Sequence, residues 1–282
     1  MPLNPSTSAP SPDDAPRPFA KQRTTPARTK RWFLAIGIAA LALALATGGY
    51  VAATYRFTHP SPTARVFVRP EAARGLVETS VVWRVETKRP EYALTFDDGP
   101  DPRWTPQVLR MLAAHHAHAT FFMLGDEAQA NPGLVRQVVA AGNEVAIHGW
   151  THAKLTFMST PQIQQALGLT SRTLMAAGAP KPVLFRPTYG RIDSPGLGVA
   201  SADGLTVVMW SHHITGSTPA RDRAQIDKTA SPGMIVLAHD GRTEPNAQMM
   251  TQINGLLGDL ENRGLTSVTV SQLMTDSTRD SR

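Results

Sequence analysis

From Tyr92 onward the chain alternates short apolar runs with stretches of helical period, and this alternation limits the fold more than any other feature. Tyr92–Phe96, Ala119–Met123, Glu144–Ile147, Val183–Phe185, Thr206–Trp210, Met234–Ala238 and Thr266–Val270 read as buried strands. Thr105-Pro106, Asn131-Pro132 and Thr160-Pro161 open helices, since proline is tolerated in a first turn whose N–H groups have no partner. Gly142 and Gly178 close the second and third of these, and residues 244–263 form another helix that stops at Gly264. Ser80–Glu86 is expected to add a strand ahead of the first unit. The rhythm predicts the α/β class, with a parallel sheet that is either open or a barrel of about seven or eight units.

In parallel α/β sheets, chemistry collects at the C-terminal ends of the strands. Four polar clusters stand there: Asp97-Asp98-Gly99-Pro100, His148-Gly149-Trp150-Thr151-His152, Arg186-Pro187-Thr188-Tyr189-Gly190 and His239-Asp240. Adjacent carboxylates on an extended strand point to opposite faces, so Asp97 and Asp98 have different tasks. Two histidines four residues apart meet one ion if the turn between them is tight. With one carboxylate they make a His₂Asp set with an open position, the pattern of a catalytic metal site, and the other carboxylate is left free as a base. Such a set suits zinc and accepts cobalt, nickel or manganese.

The segments TFDDGP (95–100), HGWTH (148–152), FRPTYG (185–190) and IVLAHD (235–240) resemble the successive motifs of the NodB-type polysaccharide deacetylases, carbohydrate esterase family 4. The match runs in family order across most of residues 81–270. The resemblance implies a distorted (β/α) barrel with about seven parallel strands, and removal of N- or O-acetyl groups from sugars with a divalent metal. It also implies Asp97 as general base, Asp98, His148 and His152 as metal ligands, and Arg186 as the group that orients Asp97. The Tyr189 backbone N–H would stabilise the oxyanion, His239 would be the general acid, and Leu237 would line the pocket for the acetyl methyl group. Trp150 is expected in the wall of the site and Pro187 among the substrate contacts.

Two departures stand out. Gly149 replaces the family's usual Ser or Thr, at a position that is not a ligand. The family's Asp-Trp motif after the fifth strand is missing; the chain there reads Trp210-Ser211-His212-His213, which makes His212 and His213 the expected substrate contacts or substitute partners for His239. His115, His116 and His118 fall at the opposite end of the sheet and read as structural, favoured by a helix C-terminus. Trp104 reads as packing at a helix start, Met249, Met250, Leu256 and Leu257 as core, and Asp240 as a brace for the loop of His239.

The formal charge of +6 is unevenly placed. Residues 1–31 carry six basic side chains against two acidic, and seven prolines, so they read as a disordered tail. Residues 32–55 are 24 residues without a charge, long enough to span a bilayer. Arg56 to Arg89 holds seven basic residues against three acidic, and the remainder 15 against 17. The largest part is therefore slightly acidic, which argues against a nucleic-acid partner. The basic excess ahead of residue 32 predicts a single-pass anchor with a cytoplasmic tail (1–31), a stalk (56–80) and an exported catalytic domain (81–282). Cleavage after Ala44-Leu45-Ala46 and secretion is the alternative. With no cysteine, the domain has neither disulfides nor a thiolate nucleophile.

Such an enzyme is expected to take an acetylated glycan, peptidoglycan or chitin-like N-acetylglucosamine first, with no obligate protein partner. O-acetyl esterase activity on xylan-type polymers and a catalytically weakened glycan-binding role are the alternatives.

Overall fold

A computed structural model of the chain describes residues 63–68, 77–242 and 244–280. In chain order the elements are β1 (Thr63–Val68), β2 (Val77–Val82), β3 (Glu91–Asp97), α1 (Thr105–Ala114), β4 (Ala119–Leu124), α2 (Gly125–Ala130), α3 (Pro132–Ala140), β5 (Glu144–Gly149), α4 (Thr160–Ala176), β6 (Leu184–Phe185), α5 (Ser194–Ala202), β7 (Thr206–Val208), β8 (His212–His213), α6 (Pro219–Thr229), β9 (Ile235–His239), α7 (Ala247–Asn262), β10 (Thr266–Ser267) and α8 (Val270–Asp280). The expected helix starts hold: Pro106, Pro132 and Pro161 lie in the first turns of α1, α3 and α4, and Ser159 with Gln162 forms a capping box for α4.

One sheet runs β1-β2-β7-β6-β5-β4-β3-β9-β8, with β10 beside β3. β1 and β2 pair antiparallel and the other pairings are parallel. The sheet curls: beyond β2, Arg84 bridges Met234, and the Val85 N–H donates to the Gly233 carbonyl at 2.8 Å. The result is a curled half-barrel of parallel strands, consistent with a distorted barrel.

Some expectations need correction. The strand expected over Thr206–Trp210 ends at Val208, because the carbonyls of Val208 and Met209 are taken by the Arg186 guanidinium; the chain then pairs again, with β9, as β8. The strand expected over Thr266–Val270 is only two residues long, and Val270 already starts α8. Part of the stalk expected over 56–80 is sheet: β1, whose Val66-Phe67-Val68 favours strand, pairs with β2, which begins at Val77. Among the described residues no helix is long and apolar enough to cross a membrane. The segment 32–55 expected as an anchor, and the tail before it, lie outside the described residues.

The two faces of the curl have separate jobs, fixed by the period of two along each strand. Val81, Leu94, Phe96, Phe121, Met123, Ile147, Phe185, Val207 and Val236 point outward into the main core beneath the helices. Their neighbours Val82, Ala93, Phe122, Ala146, Leu184, Val208 and Ile235 form a second apolar layer inside the curl, completed by Val270 and Leu273 of α8. Because parallel register puts Thr95 beside Leu237 and Asp97 beside His239, the polar residues continue this inner layer toward the C-terminal ends of the strands.

Candidate active site

Asp97 ends β3 still in the strand, whereas Asp98 takes a left-handed conformation with φ 75°. This reversal breaks the strict alternation, so both carboxylates reach the same space: His148 Nε2 lies 3.8 Å from Asp97 Oδ2 and 3.3 Å from Asp98 Oδ1. The turn is possible because two glycines face it. A Cβ on Gly99 would collide with the Asp240 carboxylate, and one on Gly241 with the Asp98 carbonyl oxygen.

Arg186, fully buried, organises the other half. Its Nη1 donates to Asp97 Oδ1 at 2.7 Å and to Thr95 Oγ1 at 2.8 Å, Nε to the Val208 carbonyl at 3.1 Å, and Nη2 to the Met209 carbonyl at 2.9 Å. The guanidinium carbon lies 4.1 Å from the centre of the Phe122 ring. A buried charge is tolerated only when paired and hydrogen-bonded, and here the pairing fixes the direction of Asp97. The Arg186 carbonyl accepts from His148 Nδ1 at 2.8 Å. A carbonyl can only accept, so Nδ1 carries the proton and Nε2 presents its lone pair inward.

His152 Nε2 also stands 3.3 Å from Asp98 Oδ1. The ligand atoms of Asp98, His148 and His152 all lie within 4.8 Å of one another. Asp98 Oδ1 is buried without a hydrogen-bond partner, an oxygen that a divalent cation would satisfy, so the donor set fits a metal. Burial pushes the Asp98 carboxyl up, but His148, His152 and His239 outweigh it and hold Asp98 below the usual carboxylate range. Burial likewise opposes the proton on His148, and Asp97 and Asp98 prevail, raising its pKa. Burial, with the positive charges of His148 and Arg242, brings His152 down to about 4.

His239, at the end of β9, lies beside Asp97 in register. Its Nδ1 is buried with no hydrogen-bond partner, so neither His212 nor His213 replaces the missing acidic support. His212 is held by Ser211 Oγ at 2.9 Å and Thr229 Oγ1 at 3.0 Å, toward the foot of β9, and is not brought to the cluster. His213, exposed, pairs in β8 with Leu237. Asp240 braces the loop as expected: its N–H donates to the Asp97 carbonyl at 3.1 Å and its carboxylate accepts from Thr105 Oγ1, while burial raises its pKa to about 7.

Leu237 shares the inner face with Thr95 and Asp97. Trp150, half-buried, packs its ring on Gly125 at the start of α2. Pro187 is buried and opens the 3-10 turn Thr188–Gly190, so it shapes the turn and offers little surface to a substrate. Tyr189 takes φ 60° within that turn and places its ring 4.3 Å from that of His152. Away from the site, His115 bonds Glu261 at 3.1 Å and Asn254 at 3.3 Å, and Trp104 is buried in the core.

Several residues at the site are not evident from sequence. Trp210 lies against Gly190, with the Arg186 guanidinium 5.7 Å from its ring; ending a strand run at the functional end was its only signal. Arg242, at φ 59°, brings Nε to 3.6 Å from Asp98 Oδ2, leaving Oδ1 to the two histidines. Nothing in the spacing singles it out.

A pair of buried carboxylates, a histidine next to one of them and three residues placed to hold a metal, all at the C-terminal ends of a curled parallel sheet, fit a metal-dependent hydrolase. The chain belongs to the polysaccharide deacetylase family: residues 84–208 match the family model described as polysaccharide deacetylase. It is 35% identical over 199 residues to a peptidoglycan-N-acetylglucosamine deacetylase of Bacillus cereus, covering 69% of this chain and 92% of that one. A chitooligosaccharide deacetylase of Sinorhizobium fredii is 38% identical over 162 residues, 56% of this chain and 75% of its own. The crystal structure of a peptidoglycan N-acetylglucosamine deacetylase superposes with a TM-score of 0.65 at 25% identity, covering 70% of this chain and 94% of the other. These curated relatives are deacetylases, hydrolases of a non-peptide amide carbon–nitrogen bond.

Proposed function

We propose that the chain hydrolyses the acetamide of N-acetylglucosamine in peptidoglycan or a chitin-like glycan outside the cytoplasm, on a distorted barrel anchored through residues 32–55. The observation that carries this reading is the joint placement of Asp97, Asp98, His148, His152 and Arg186 around one buried, unsatisfied carboxylate oxygen. Similarity to the Bacillus cereus peptidoglycan enzyme and to the chitooligosaccharide enzyme supports the choice of glycan.

A divalent metal, taken as zinc because two imidazoles and one carboxylate suit it, would be held by Asp98, His148 and His152 and would polarise the acetyl carbonyl and acidify a water molecule. Asp97, its Oδ1 held by Arg186, takes a proton from the attacking water at Oδ2. The Tyr189 backbone N–H donates to the oxyanion as the carbonyl carbon becomes tetrahedral, an interaction worth about 3–4 kcal/mol in comparable sites. Leu237, buried on the same inner face, receives the acetyl methyl group. His239 delivers a proton to the departing amine.

The unpartnered His239 Nδ1 favours one second reading, a weakened enzyme that binds glycan and turns over slowly. Acetate release by the zinc-loaded chain from peptidoglycan, chitooligosaccharides and acetylated xylan separates the readings. Turnover on the first two supports the proposal, turnover on xylan alone makes the chain an esterase, and binding without acetate favours the weakened form.

A further inference from the structure

Beyond His152 the chain runs through Ala153 and Lys154 into a short 3-10 turn, Leu155–Phe157. Leu155 is buried and anchors the turn, and Thr188 Oγ1 donates to the Ala153 carbonyl at 2.5 Å, tying this loop to the one that carries Tyr189. On this fixed base Phe157 leaves 81% of its surface exposed and Tyr189 leaves 50%. The Lys154 ammonium stands 5.7 Å from the centre of the Phe157 ring and 5.5 Å from that of Tyr189. Among the described residues no carboxylate pairs with Lys154. On another side of the metal ligands, Arg242 adds a second, partly exposed cation.

Exposed aromatic rings held rigidly beside a reactive centre are suited to being covered, and their faces match the C–H face of a pyranose. The ammonium between them adds what a neutral sugar does not require, a positive charge with three donors. We propose that Phe157, Lys154 and Tyr189 form a subsite for a sugar residue bearing a carboxylate, such as the lactyl ether of muramic acid, next to the N-acetylated residue under attack. This rests on the deacetylase reading above and narrows its substrate to a glycan whose muramic acid lactyl carboxyls are free of stem peptide. A chitin-like chain would use the ring faces and leave Lys154 without a partner.

The test uses the full-length, zinc-loaded chain and three probes: a tetrasaccharide alternating N-acetylglucosamine with N-acetylmuramic acid, the same tetrasaccharide with its carboxyls methylated, and tetra-N-acetylchitotetraose. The wild-type protein prefers the free acid to its ester by about five- to tenfold, expressed in KM, as expected for one charge-assisted contact at a partly exposed site. Lys154→Gln abolishes this ratio, Lys154→Arg retains it, and Phe157→Ala raises KM for all three probes. Equal KM for acid and ester in the wild type, or a Lys154→Gln effect of the same size on both, overturns the subsite.

Calorimetric titration of Asp97→Asn with the same probes keeps the two readings apart. A Lys154-dependent preference in binding, with no acetate released by the wild type from any probe, retains the subsite and removes the deacetylase reading. Acetate release with no acid preference does the reverse, and neither binding nor release removes both.

Discussion

Arg186 gives its carbonyl oxygen to His148 and its guanidinium to Asp97, so one buried residue sets both the tautomer of His148 and the direction of the Asp97 carboxylate. Arg186→Lys keeps a charge but loses the planar fork that serves Asp97, Thr95 and two backbone carbonyls at once. Its unfolding free energy is expected to fall by about 3–5 kcal/mol in urea titrations, the scale for breaking a buried pair, with kcat reduced more than KM changes. The protons on the ligands give a separate prediction. His148 is raised above its unfolded value, so the ion pair it forms stabilises the metal-free protein fully below about pH 6.5 and is lost as pH rises through the raised value. A metal must displace that proton, whereas His152, brought down to about 4, has none to lose near neutrality. Below the raised value, metal affinity should therefore climb about tenfold per pH unit, with one proton released per ion in calorimetry across buffers. Absence of proton release below about pH 6.5 would show that His148 carries no second proton in the metal-free protein. The ligands were legible in sequence because each lies in a contiguous motif after an apolar run. Trp210, Arg242, Lys154 and Phe157 were not, because each is a single residue whose place is set by turns without periodicity.

The loops are as closely fitted as the side chains. The β3–α1 and β9–α7 loops meet where Gly241 passes the Asp98 carbonyl and Gly99 passes the Asp240 carboxylate, with the Asp240 N–H on the Asp97 carbonyl. A methyl group on Gly241 would move the backbone of Asp98 directly. Gly241→Ala is expected to lose about 10–100-fold in zinc affinity, the range for displaced supporting groups, while circular dichroism retains the native spectrum. Unchanged affinity would mean that the loop absorbs the methyl group without moving Asp98. Strand order is another matter. Alternation specified the α/β class and most strands to within a residue or two, but the interruption between β7 and β8 answers to Arg186, which lies far away in sequence and claims the carbonyls of Val208 and Met209. The pairing of β1 with β2 was hidden among prolines, and local pattern alone reads such a stretch as extended stalk.

Over the whole chain, the first 89 residues carry 13 basic side chains against 5 acidic, a charge of +8, and the remainder carries 15 against 17, so the net +6 comes from outside the catalytic part. Under the proposed subsite, selection of an acidic glycan depends on a few placed cations, Lys154 and Arg242, and not on a basic surface. Without cysteine, cohesion comes from the two apolar layers, and a ligand bound only by the folded state adds to it. Removal of zinc by a chelator should lower the thermal midpoint by about 5–10 °C, corresponding to roughly 3 kcal/mol at a hundredfold excess over Kd, and reducing agents should leave it unchanged. On the proposed mechanism, Asp98, His148 and His152 together hold the metal on which deacetylation depends. It is tested most directly by measuring bound zinc per chain and acetate release in parallel for the wild type and Asp98→Ala. One zinc per chain and turnover on an N-acetylated glycan are expected for the wild type, with both lost in the variant; full zinc stoichiometry in Asp98→Ala would refute the ligand set.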